Sequence, residues 1–158
     1  MNPHIPRQVL IVSSIDWAAT WQRHQAFAAA FAAEGADVFF VENTGFRDFR
    51  LSDLTRILSR LERLLTRRPR MASPPPKGVR LLTPLVLPPT HSLFRAFNSV
   101  YLLPFLTRRL RRRGLRPGAV VFAYLPTATT LNLIELVHPS QVVYDCAANF
   151  AGPGGGGG

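Results

Sequence analysis

The spacing of apolar positions changes several times along the chain, and each change predicts an element. Val9 to Ser13 is a short unbroken apolar run, as expected of a strand buried on both faces. From Trp21 to Glu34 the period becomes helical: Phe27, Ala28 and Phe31 fall on one side, and Gly35 stands where a helix would end. Val38 to Val41 reads as a second strand. Leu54, Ile57, Leu58, Leu61, Leu64 and Leu65 form an apolar stripe at helical spacing. Val79 to Leu82 is a short strand, and Leu85 to Leu87 is expected to be another. Ser92 to Arg113 is helical, with an interruption expected near Pro104, which lacks the amide hydrogen for the ladder. Ala119 to Ala123 is a buried strand, Ala128 to Val137 a short helix and Gln141 to Tyr144 a last strand.

This alternation predicts an α/β fold, Rossmann-like, with a mostly parallel sheet and helices on both faces. Right-handed crossovers put the C-terminal ends of parallel strands on one edge, where open α/β sheets bind ligands. One domain is expected over residues 1–150, followed by a flexible glycine-rich tail over 151–158. Arg68 to Lys77, with three consecutive prolines, reads as a loop, and no internal repeat is found.

Composition narrows the class. The chain has 158 residues, 47% hydrophobic and 18% charged, which is too apolar and too weakly charged for a disordered chain. No apolar run approaches the ~20 residues of a membrane-spanning helix, and no secretory leader is read at the N-terminus. The single cysteine, Cys146, excludes an internal disulfide and fits a reducing, cytoplasmic compartment. The net charge of +10 is unevenly placed: residues 1–55 hold four Arg against six acids. The basic residues gather at Arg56, Arg60, Arg63, Arg67, Arg68 and Arg70, and again at Arg108, Arg109, Arg111, Arg112, Arg113 and Arg116. Such clusters are either solvated helix faces or attractors of phosphate, anionic lipid or nucleic acid. Nucleic acid is disfavoured, because aromatic residues are not interleaved with them and no recognition motif is present.

The predicted topology selects the residues that reach the ligand-binding edge. The first strand empties into Asp16 and Trp17, followed by Trp21, Arg23, His24 and Gln25. The second empties into Glu42, Asn43 and Thr44, the Ala119 strand into Tyr124 and Thr127, and the last into Asp145. Polar groups delivered by four loops to one rim suit a polyhydroxylated or phosphorylated ligand. Asp16 either caps the next helix or serves a catalytic or substrate role. Trp17 and Trp21 are packing residues or sugar platforms. Arg23 near a helix N-terminus is opposed by the dipole, so it needs a partner such as Asp16 or a bound anion. His24 is a candidate general base near neutral pH or a structural residue. Thr44 with Gly45 forms a turn or contributes to the rim, and Asp145 pairs with an arginine, caps, or lies in the site. Outside the glycine tail, no metal-ligand spacing, phosphate-binding P-loop, dinucleotide glycine motif or Gly-x-Ser-x-Gly elbow is present.

These loops resemble the start of bacterial GT-B glycosyltransferases of the family 4 / group 1 kind. The likeness runs through Ser13-Ser14-Ile15-Asp16-Trp17 with Trp21-Gln22-Arg23-His24-Gln25, then Val41-Glu42-Asn43-Thr44-Gly45-Phe46-Arg47. It continues through Thr83-Pro84-Leu85-Val86-Leu87-Pro88, Asn98, Tyr124-Leu125-Pro126-Thr127 and Val142-Val143-Tyr144-Asp145-Cys146, covering about residues 8–147. The resemblance implies the N-terminal, acceptor-side half of a two-domain enzyme, hexosyltransferase-like, whose second domain binds a nucleotide-sugar donor as co-substrate. It implies an envelope glycan or lipid-linked sugar as acceptor, with no cofactor bound by this half and no metal. On this half, Asp16 and His24 would be base or orienter. Trp17, Arg23, Gln25, Glu42, Asn43, Thr44, Tyr124, Thr127 and Asp145 would contact substrate. Ala147-Ala148-Asn149 stand where the family carries acids, so the chain is expected to be a fragment that is inactive alone. The arginine clusters would rest on anionic membrane at its inner face. The alternative is a non-catalytic α/β module that binds a sugar, nucleotide or partner subunit.

Overall fold

The computed structural model describes residues 5–42, 74–87 and 92–146. The Leu54–Leu65 stripe, the first arginine cluster, Asn43, Thr44, Ala147 to Asn149 and the glycine tail lie outside the described residues.

Five strands form one sheet in the order β3-β2-β1-β4-β5. They are β1 (Gln8–Val12), β2 (Asp37–Val41), β3 (Val79–Leu82), β4 (Val120–Ala123) and β5 (Gln141–Tyr144). Every pairing is parallel, with Val9 opposite Val38 on one side and Val120 on the other. The fold is α/β and Rossmann-like, as the alternation predicts.

Strand periodicity sorts the core into two layers. In β1 and β2, Leu10, Val12, Phe39 and Val41 face one way and Val9, Ile11, Val38 and Phe40 the other, all fully buried. This two-sided burial explains why β1 and β2 read as unbroken apolar runs. Helix α1 (Arg23–Ala33) covers the second face, with Ala28 in one cluster with Val9, Ile11 and Phe40. The other face is covered by a long irregular helix and by α4 (Ala128–Val137), through Leu103, Leu106, Leu110, Leu133 and Val137. Gly35, just beyond α1, takes a φ of +89°, the left-handed conformation that lets the chain leave the helix toward β2.

The irregular helix comprises α2 (Ser92–Phe97), a π-helical turn (Asn98–Leu102) and α3 (Leu103–Arg112). The interruption expected at Pro104 is therefore a wide turn placed just before the proline. Widening the ladder there accommodates the missing amide hydrogen without breaking the helix. Asn98, at the start of that turn, is buried and clamps the backbone of Leu87: its Nδ2 donates to Leu87 O (2.7 Å) and its Oδ1 accepts from Leu87 N (2.8 Å). This corrects the expectation of a strand at Leu85 to Leu87. At Leu87 a side chain, not a neighbouring strand, takes the backbone groups, and the segment runs as an irregular stretch. Among the described residues no helix is long and apolar enough to cross a membrane.

Candidate functional site

The strand order reverses direction at β1, which places the topological switch point between the C-terminal ends of β1 and β4. The residues just beyond the strands are held there by backbone bonds that extend the ladders. Ser13 N donates to Val41 O (2.9 Å), Glu42 N to Leu82 O (3.0 Å), Tyr124 N to Val12 O (3.2 Å) and Asp145 N to Ala123 O (3.0 Å). These rim residues are therefore anchored to the sheet rather than carried on free loops.

Three of them meet α1 at the switch point. His24, in the first turn of α1, is buried, and its Nδ1 lies 2.9 Å from Ser13 Oγ. The Ser13 hydroxyl also donates to Ile15 O (2.9 Å) and accepts from Ile15 N (3.1 Å). A hydroxyl has one proton; with that proton on Ile15 O, Nδ1 must donate to Ser13, and the lone pair of neutral His24 sits on Nε2. The imidazole stacks on the ring of Tyr124, with centroids 3.7 Å apart and planes 21° apart. Burial lowers the pKa of His24 from its ordinary 6.5; nearby Asp145 works against this and Arg23 adds to it. Tyr124 is 2% exposed, and its phenolic oxygen is buried without a hydrogen-bond partner. Burial, reinforced by Asp145, pushes the phenol up to about 12, so it stays a proton donor at neutral pH.

Arg23 opens α1, and its Nη1 bridges to Asp145 Oδ1 at 2.8 Å. The bridge runs from the helix after β1 to the end of β5, across the position of β4 in the sheet. The partner that the helix dipole demands of Arg23 is thus Asp145, not Asp16. Nor does Asp16 cap α1, because Gln22 occupies the cap position. Asp16 is half-buried in the loop before the helix, where its carbonyl accepts from Ala19 N (3.1 Å).

Other predicted site residues are occupied by the scaffold. Gln25 is fully buried: its Oε1 accepts from Gln22 N (3.0 Å) and its Nε2 donates to Trp17 O (3.4 Å). The first of these bonds is the reciprocal half of a helix capping box. Glu42 ties three strand ends together, with Oε1 accepting from Trp17 N (3.0 Å) and Oε2 from the Thr83 hydroxyl. Thr127 caps α4 by accepting from Thr130 N (3.2 Å). Trp17 is buried edge-on against Phe40 (5.0 Å), which is the packing alternative. Trp21 remains 57% exposed and meets Trp17 edge-on at 5.8 Å, so it is the indole accessible to a ligand.

Sequence reasoning gives no role to Ser13, Thr83 or Asn98. For Ser13 a signal exists, a hydroxyl ending an otherwise apolar strand immediately before the rim. Thr83 and Asn98 stand in the sequence only as parts of the resemblance. Among the described residues no group of three or more His, Cys, Asp or Glu could hold a metal ion. No family model matches the chain, and no curated protein or solved structure matches it either.

Proposed function

We propose that the chain is the acceptor-side domain of a nucleotide-sugar-dependent glycosyltransferase, and that an acceptor sugar hydroxyl binds at the switch point, beyond the C-terminal ends of β1 and β4. The observation that carries this reading is the buried, unpartnered Tyr124 hydroxyl beside His24 and Asp145. An unsatisfied buried donor costs about 1–3 kcal/mol, a cost that a ligand hydroxyl would remove on binding. The resemblance of the loops to GT-B glycosyltransferases supports the same reading.

In this mechanism Tyr124 donates to an acceptor oxygen, and Asp145 accepts from a neighbouring hydroxyl. His24, kept neutral by burial, takes the proton of the attacking hydroxyl on Nε2, while Ser13 fixes the ring through Nδ1. Asp16 orients the acceptor from the β1 loop. The oxygen then bonds to the anomeric carbon of a donor sugar held by a second domain, and the nucleoside diphosphate leaves with the bonding pair. Saccharide titration followed on the His24 ring protons by NMR tests the binding half of the proposal. Methyl glycosides should shift those signals, and a nucleoside diphosphate alone should not.

A non-catalytic α/β binding module is the second reading. It is favoured by the scaffold use of Gln25, Glu42 and Thr127, which leaves a small polar site rather than a full catalytic rim. Shifts of the His24 ring protons by a free nucleotide, with none from any glycoside, would favour this module over an acceptor site.

A further inference from the structure

The long irregular helix is apolar on two sides. Leu103, Leu106 and Leu110 face the core. On the other side Leu93, Phe97, Tyr101 and Phe105 recur every four residues with Val100 beside them, and each is 45% to 80% exposed. Four residues turn an α-helix by about 400°, so a stripe of this period drifts round it by about 40° a step. The wide turn at Asn98–Leu102 holds more residues per turn and takes back that drift, which keeps the stripe straight. The rings of Phe97 and Tyr101 lie 5.0 Å apart and form one platform. An exposed apolar line of this length has a second surface to cover.

Steps of three and four residues continue the line from Phe105 to Arg108 and Arg112, both exposed. Their guanidinium groups make no hydrogen bond or ion pair among the described residues. Arg109, Arg111 and Arg113, by contrast, donate to the carbonyls of Thr83, Leu136 and Leu81. Residues 92–116 contain no Asp or Glu, so no acid on this helix neutralises Arg108 or Arg112. An aromatic face attracts a guanidinium, so the two ends of the line suit each other. A second copy laid antiparallel brings those ends together. Phe97 then meets the partner's Arg108, Val100 meets the partner's Phe105, and Leu93 meets the stem of the partner's Arg112. All three pairs share one midpoint, between Leu102 and Leu103, as a single two-fold axis requires. The two copies of Arg108 stand about 16 Å apart along the helix axis, beyond the ~8–10 Å over which exposed charges act. Arg95, two positions from both Leu93 and Phe97, falls off the line.

A bilayer suits a helix whose arginines occupy the side opposite its apolar face; here two of them continue the apolar line itself. The line offers on the order of 600 Å² per copy, from half-exposed rings of about 150–250 Å² each, their aliphatic neighbours and the arginine stems. A pair would bury about 1,200 Å², the lower limit for a specific protein interface. We infer that two copies of the chain pair antiparallel through this line, around a two-fold axis between Leu102 and Leu103. The contact closes at two copies. It lies on the face of the sheet opposite α1 and is independent of the sugar-transfer reading.

The test is sedimentation velocity of the full chain over a range of concentrations. The expected result is a reversible monomer–dimer equilibrium in about the micromolar range. Tyr101→Ser, Phe105→Ser should weaken it by about tenfold or more. Arg108→Gln, Arg112→Gln should weaken it by about fivefold or more, because symmetry makes each guanidinium–ring contact occur twice. Unchanged or tighter association of that second variant would overturn the inference, since arginines that only repel one another would gain from removal. Hydroxyl-radical labelling of the unaltered protein covers the case in which a variant fails to fold. Phe97, Tyr101 and Phe105 should become protected as concentration rises. A monomer at every concentration, growth past two copies, or unchanged labelling of these side chains would overturn the inference. So would protection that appears only with phosphatidylglycerol vesicles, because the occupant would then be a bilayer.

Discussion

At the scale of single residues, the site contains one group that opposes folding and one that makes folding depend on pH. The Tyr124 hydroxyl is buried without a partner, so Tyr124→Phe should leave stability unchanged or raise it by about 1 kcal/mol in urea denaturation. The same change should weaken saccharide binding by about tenfold if the hydroxyl contacts the ligand. His24 has its folded pKa below the ordinary 6.5, so the unfolded chain takes up this proton first as pH falls. Its contribution is therefore complete above about 6.5 and is lost as pH drops through the lower folded value. Urea midpoints measured from neutral pH downward should fall in that window, and His24→Gln should flatten the fall. The Arg23–Asp145 bridge, with Arg23 half exposed, should contribute only about 0.2–1 kcal/mol to stability, so its loss should be felt in binding rather than in folding.

At the scale of elements, the parts easiest to read are those whose burial imposes a period. β1 and β2 are buried on both faces and appear as apolar runs; α1 ends at Gly35, where the backbone needs a left-handed residue. Leu85 to Leu87 misleads because an apolar triplet reads the same whether a strand or a side chain satisfies its backbone. Asn98 makes that difference, and it sits 11 positions away from Leu87. Asn98→Ala should therefore cost about 2–4 kcal/mol in urea denaturation, since it strands both the N–H and the C=O of Leu87. Pro104 announces an irregularity, but not that it takes the form of a π-helical turn ahead of the ring. Two glycines separate backbone cost from crowding. Gly35→Ala should cost about 1 kcal/mol for its positive φ alone, with no atom within 4 Å of the added carbon. Gly78→Ala should cost more, because its added carbon would also lie 3.3 Å from the Ala32 side chain. Paired thermal melts of the two variants check the order.

At the scale of the whole molecule, the sheet order brings together residues that are remote in sequence. Arg23 and Asp145 are 122 positions apart, and no local pattern could pair them. The rim itself is legible, since alternating strands and helices dictate which loops share an edge. What each rim residue does there is not legible, because it depends on distances. Gln25, Glu42 and Thr127 satisfy backbone and neighbouring groups, whereas His24, Tyr124 and Asp145 gather near Ser13. The most direct measurement is an NMR titration of the full chain with methyl glycosides of common hexoses, read at the ring protons of His24. An acceptor site at the switch point predicts saturable shifts for at least one glycoside, weakened in Tyr124→Phe, with no shift from a nucleoside diphosphate alone. Shifts at His24 from the nucleoside diphosphate, with none from any glycoside, would contradict it.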